Sequence, residues 1–210
     1  MEDIILVGYG GHAGSVADCI ERQHKYKITG YTDVEQRSTR YRYLGTDAVL
    51  KECFQKGIQN AAVGIGYLGK GTTRMQLYEE LKQIGYTLPM IADPTAIISE
   101  TVQIGEGVFI GKGAVVNTGT QIGKMAIINT KALVEHDCIV GEFAHVAVAA
   151  VLCGQVKVGE AAFIGANATI LQCLDISANV IVPAGETIRR GCCMKMKNDC
   201  RMVVNCGGVN

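Results

Sequence analysis

"IGEGVFIGKGAVVNTGTQIGKMAIINT", residues 104–130, carries an aliphatic residue at every sixth position: Ile104, Ile110, Val116, Ile122 and Ile128. The series extends back to Ile98. It runs forward through Val134, Val140, Val146, Leu152, Val158, Ile164, Ile170, Ile176 and Val182 to Ile188. Every one of these positions is Ile, Val or Leu. The residue after the aliphatic is often Gly or Asn, as at Gly105, Gly111, Asn117, Gly123, Asn129, Gly141, Gly159 and Gly165. Both residues tolerate positive φ, so a tight corner is expected there. Four residues after the aliphatic stands a small or β-branched side chain, as at Val108, Ala114, Thr120, Ala126 and Ala132, expected to face inward as well.

A period of six suits neither a helix, whose apolar stripe recurs every 3.6 residues, nor a sandwich, whose strands are longer and unevenly spaced. It describes a parallel β-helix of triangular section. Three repeats close one coil of about eighteen residues, so residues 93–188 make about five coils.

Residues 1–92 lack the period and alternate strand with helix. "DIILVGYGG" reads as a strand running into a glycine turn, 13–24 as a helix, and "YKITGYTD" as a second strand ending at Asp33. "TDAVLKECFQKG" reads as a helix capped by Thr46 or Asp47, "NAAVGIG" as a third strand, "TTRMQLYEELKQIG" as a third helix and "TLPMIAD" as a short fourth strand. This is a small Rossmann-like α/β unit. Gly8-Tyr9-Gly10-Gly11-His12-Ala13 fits G-x-G-x-x-A between a strand and a helix, where bare backbone amides can face a pyrophosphate. Asp33 is then placed to accept ribose hydroxyls. With about four strands this is half a dinucleotide domain, better suited to a nucleotide-linked sugar than to NAD.

Composition removes several function classes. Lys plus Arg equals Asp plus Glu, 20 each, which argues against nucleic acid and anionic membrane surfaces as partners. No signal peptide and no apolar run of membrane-spanning length is seen, so a cytoplasmic location is expected. The nine cysteines show no C-x-x-C pair and no zinc spacing, so no metal site is expected and the thiols read as small apolar residues. Four of them, Cys192, Cys193, Cys200 and Cys206, fall in a C-terminal tail, 189–210.

"VEHDCIVGEFAH", 134–145, holds two of the four histidines. Phased on Val134, Val140 and Val146, both His136 and His145 point to the outside of the prism, on different faces. An imidazole titrating near neutrality can take a proton from an attacking amine, and a carboxylate on its other nitrogen fixes the tautomer. Asp137 and Glu135 both neighbour His136.

The aliphatic–Gly–x–x–small–x repeat resembles that of the hexapeptide-repeat acyltransferases. With "VGYGGHAG" at the start and "VGIG" at 63–66, the chain resembles their sugar-nucleotide N-acetyltransferase and sialic acid O-acetyltransferase subgroup over roughly residues 4–188. The resemblance implies a left-handed β-helix, a homotrimer, and acetyl-CoA held between neighbouring prisms. It implies His136 as catalytic base with Asp137 at the acidic position, Gly154 as a backbone oxyanion donor, and His145 at the acyl-thioester. It implies Gly8, Gly10, Gly11, His12, Asp33 and Gly66 at the sugar nucleotide. The expected reaction is acetyl transfer to the amino group of a UDP-4-amino-sugar type substrate in bacterial glycan synthesis. O-acetylation of a sialic acid, or a non-catalytic β-helix scaffold, are the rivals. The pattern departs from the family at Val148-Ala149-Ala150, where Pro-Gly-Ala is usual. It departs again in the tail, where Lys195, Lys197 and Arg201 stand in place of a Pro-Ala-Lys-like segment as candidate partners of cofactor phosphates.

Overall fold

The computed structural model describes residues 1–66 and 72–190. The chain divides into two compact units, Met1–Pro94 and Thr95–Asn210.

In the first unit β1 (Glu2–Val7), β2 (Tyr26–Thr32), β3 (Tyr43–Gly45) and β4 (Asn60–Val63) form one parallel sheet in the order β3-β2-β1-β4. The central β1 is fully buried from Ile4 to Val7, as a strand covered on both faces must be. Helices α1 (Gly11–Gln23), α2 (Leu50–Gln55) and α3 (Thr72–Ile84) make the crossovers. β3 is an element the sequence reading passed over. It is three residues long, packs beside β2, and is interrupted by a register shift, so it leaves no alternation to detect. The expected fourth strand is broken in two: Thr87 makes an isolated parallel bridge to Asn60, and Ile91–Ala92 is extended. Nor does a side chain cap the second helix: a 3₁₀ turn, Asp47–Val49, leads into α2, Thr46 before it makes no capping bond, and Asp47 accepts from the Thr32 hydroxyl at 2.6 Å.

The second unit is a left-handed parallel β-helix. Two-residue strands recur every six residues and pair only with the strand eighteen residues on, as in Ile127↔His145 and His145↔Phe163. Three faces result. The first carries 97–98, 115–116, 133–134, 151–152, 169–170 and 187–188; the second starts at 103–104 and the third, in this unit, at 109–110. The aliphatic at the second strand position points inward and stacks on its equivalent one coil away. From Ile110 to Ile188 all of these ladder residues are buried, with the small residues four places on.

The corner is not where the sequence placed it. Positive φ falls three residues after the ladder, at Gly107, Gly113 and Gly119 and then at Met125, Lys131, Asp137, Phe143, Ala149 and onward. Most of these are not glycine. The glycines directly after the ladder have a different cause: they lie against the backbone of the next coil. A Cβ at Gly111 would sit 2.7 Å from Thr130 N, and at Gly141 2.7 Å from Glu160 N. Close stacking, and not backbone handedness, selects glycine there.

No helix among the described residues is long and apolar enough to cross a membrane.

Candidate active site

His136 and Asp137 occupy the corner between the first and second faces, following the strand Leu133–Val134. Asp137 has φ 57°, the recurrent left-handed position of the coil, and this turns its carboxylate back onto its neighbour. His136 Nδ1–H donates to Asp137 Oδ2 at 2.9 Å, so Nε2 is the ring nitrogen left to accept a proton, and it lies beside Gly154 one coil on. Both side chains are about half exposed, so the ring is reachable by a reactant.

Two glycines one coil away make room for the pair. A methyl at Gly154 would stand 2.6 Å from His136 Nε2, and one at Gly119 would collide with Asp137 Oδ1. Gly154 was a sequence candidate; Gly119 was missed, because it looks like one more repeat glycine. Glu135, the other acid beside His136, does not reach the ring. Its Oε2 accepts the His136 backbone N–H at 3.2 Å and Asn117 Nδ2 at 3.1 Å, so it braces the loop and leaves orientation of the imidazole to Asp137.

His145 lies on the third face, paired between Ile127 and Phe163. Its side chain points away from the ladder, as alternation requires, but it is not on the open exterior as expected: only 7% of the residue is exposed. The Phe163 ring packs edge-on at 5.0 Å, and Asn129 approaches Nε2 at 3.1 Å. Asn129 Oδ1 already accepts the Thr130 N–H at 2.8 Å, so its amide nitrogen faces the imidazole and donates. His145 Nε2 is therefore the acceptor, and its proton sits on Nδ1. Asn129 read in the sequence only as a turn residue.

The glycine loop of the first unit joins β1 to α1. Gly10 caps α1 without a side-chain bond, so first-turn amides point outward. A Cβ at Gly10 or Gly11 would meet no protein atom within 4 Å. Gly8, at φ 79°, would collide with Ile65, and Gly64 with the Gly8 carbonyl, so those two glycines serve loop-to-loop packing. Gly66 lies against His12, with a Cβ there 3.4 Å from His12 Cβ. Burial, reinforced by the charge of Arg74, lowers the His12 pKa to about 4, so this imidazole is neutral at pH 7. Arg74, in the first turn of α3, is itself buried, and desolvation pulls its pKa down to about 10; no motif in the sequence marks it. Asp33 follows β2, and its carboxylate accepts Tyr9 N at 3.1 Å, tying the glycine loop to the second strand.

Among the described residues no group of three or more His, Cys, Asp or Glu could hold a metal ion. Lys195, Lys197, Arg201 and the tail cysteines lie outside the described residues.

Residues 3–81 match the PglD N-terminal domain family. Residues 101–130 and 155–190 match the hexapeptide repeat of succinyl-transferase. The chain is 31% identical to PerB from Caulobacter crescentus, solved with CoA and GDP-perosamine, over 91% of this chain and 90% of that one, with a TM-score of 0.86. It is 27% identical to the acetyltransferase domain of PglB from Neisseria gonorrhoeae over 91% and 93%, with a TM-score of 0.85. The same PglB domain solved with acetyl coenzyme A gives 27% identity, 89% and 92% coverage and a TM-score of 0.81.

Proposed function

The chain belongs to the hexapeptide-repeat acyltransferases, and we propose that it moves the acetyl group of acetyl-CoA to the amino nitrogen of a nucleotide-linked amino sugar. The observation that carries the reading is the His136–Asp137 pair at 2.9 Å on a half-exposed corner of the β-helix. The relatives support donor and acceptor: PerB was solved with CoA and GDP-perosamine, the PglB domain with acetyl coenzyme A.

The chemistry follows from the residues. The sugar amine attacks the thioester carbonyl and must shed a proton. His136 Nε2 takes it, and Asp137 stabilises the imidazolium that forms. The carbonyl oxygen gains negative charge and needs a donor. Gly154 N–H is suited to this. At the same point of other six-residue repeats, Thr118, Thr130 and His136 give their amides to the preceding side chain, Asn117, Asn129 or Glu135. The residue before Gly154 is Cys153, which has no side-chain oxygen to take that amide. The tetrahedral intermediate expels the thiolate of CoA, and the proton returns from His136 to sulfur. His145, with its Nδ1 proton, serves at the acyl-thioester. No cysteine becomes acylated.

In the first unit Gly10 and Gly11, at the α1 N-terminus, take the pyrophosphate, and Gly8 shapes the loop that presents them. Neutral His12 and Gly66 face the same ligand, and Asp33 lies on the ribose side. The acceptor is a 4-amino sugar on UDP or GDP, for glycan synthesis in a bacterial cytoplasm. The active assembly is a homotrimer, which light scattering reads as about 67 kDa against 22.4 kDa for one chain.

The test is mass spectrometry of acetyl-CoA reactions with a panel of UDP- and GDP-linked 4-amino sugars and free sialic acid. A gain of one acetyl on an amino sugar nucleotide is expected. A gain on sialic acid alone would replace the reading with O-acetylation.

A further inference from the structure

We infer that Arg37 occupies the ribose-binding side of Asp33, and that the nucleotide must displace it to bind. This rests on the nucleotide-sugar reading above. A carboxylate offers about four acceptor sites, and all four on Asp33 are engaged. Oδ2 accepts from Tyr9 N at 3.1 Å and from Arg37 Nε at 3.0 Å. Oδ1 accepts from Val34 N at 2.6 Å and from Arg37 Nη2 at 3.4 Å. The two backbone donors are fixed parts of the loop. The guanidinium is not.

Burial separates the two kinds of partner. The Asp33 side chain is 12% exposed and that of Arg37 is 40% exposed, so the arginine lies on the solvent side of the carboxylate. At the carboxyl end of a second Rossmann strand, that side receives the ribose diol. A diol binds a carboxylate with two hydroxyls and needs two acceptor sites, the number the guanidinium fork now holds.

Arg37 also has somewhere to go. Its Nη1 donates to the exposed Glu35 at 2.6 Å. Its backbone is fixed independently of its side chain: Arg37 N donates to the buried Tyr31 hydroxyl at 2.7 Å. The guanidinium can leave Asp33 while the segment stays folded. The exchange makes Arg37 a brake on affinity that acts only through the ribose hydroxyls.

Isothermal titration of the full chain with UDP and GDP tests this, together with their 2′,3′-dideoxy analogues. An exposed ion pair contributes up to about 1 kcal/mol, so Arg37→Ala should tighten the better-bound nucleotide by about two- to fivefold. The gain should vanish with the dideoxy analogue, which has no diol to place on Asp33. Glu35→Ala, which leaves the guanidinium on Asp33, should give no tightening. Weaker or unchanged binding by Arg37→Ala would overturn the inference, as would an equal gain for the dideoxy nucleotide. If neither nucleotide binds the wild type, the nucleotide-sugar reading itself falls.

Discussion

The two units use glycine for opposite purposes. In the β-helix, Gly111, Gly141 and Gly159 are squeezed: the next coil lies where a Cβ would be. In the α/β unit, Gly10 and Gly11 face open space. A glycine explained by its protein neighbours is structural. A glycine at a helix start that no neighbour requires leaves backbone free for a ligand. Gly119 and Gly154 stand between these cases: they are coil glycines, but what they make room for is the His136–Asp137 pair.

The largest effect expected is at Gly154. Gly154→Val drives a branched side chain into the imidazole edge, and kcat should fall by at least about 100-fold, the scale of a lost base or a lost oxyanion donor. The melting temperature should change little, since what the new side chain meets is the half-exposed imidazole, which can swing aside. A variant with full activity would remove Gly154 from the site. Asp137→Asn leaves the ring in place but offers no anion to the imidazolium and no longer fixes its tautomer; a kcat loss of about 100-fold is expected, the lower end of what a general base contributes. A pH–rate profile separates that loss from simple misfolding.

The α/β unit should show its own signature in acid. His12 has a pKa near 4 when folded and about 6.5 when unfolded. The unfolded chain therefore binds the extra proton first as pH falls. Stability contributed by neutral His12 is intact above about pH 6.5, drains away between about 6.5 and 4, and is gone below that. The loss is on the order of 3 kcal/mol. Urea midpoints across this range should fall less steeply in His12→Gln, provided the variant folds at pH 7. An unchanged slope would mean that another group carries the acid sensitivity.

The smallest effect sharpens the comparison inside the β-helix. Gly141→Ala pushes a methyl against the Glu160 backbone and should cost about 1–3 kcal/mol. Gly113→Ala adds its methyl at φ 61°, with only the Lys131 side chain near, at 3.8 Å. Lys131 and Ala149 already hold this conformation in later coils, so the cost should stay near 1 kcal/mol. If the order reverses, handedness rather than coil stacking selects the repeat glycines.

The sequence made the β-helix legible because one inward side chain recurs at a fixed step over five coils, and each coil repeats the test. It misled about the corner, since glycine and asparagine after the ladder suggested positive φ where the cause is proximity. It showed His136 and Asp137 as neighbours and left the choice between Asp137 and Glu135 open. The left-handed φ of Asp137 turns one acid to the ring, while Glu135 is held by Asn117. Asn129, Gly119, Arg37 and Arg74 were invisible for a common reason. Each matters through a partner distant in sequence or through burial, and an isolated residue type carries no trace of either. Burial of His145 was invisible too, since alternation gives a direction but not what covers it.

The central claim is that an imidazole on the β-helix corner takes the proton from the acceptor amine. Single-turnover acetyl transfer from acetyl-CoA to a 4-amino sugar nucleotide, measured for wild type and His136→Ala together, tests it most directly. The account predicts a rate loss of about 10²–10⁴-fold at pH 7, with acetyl-CoA binding and melting temperature retained. A variant that transfers acetyl within a few-fold of the wild-type rate would contradict it.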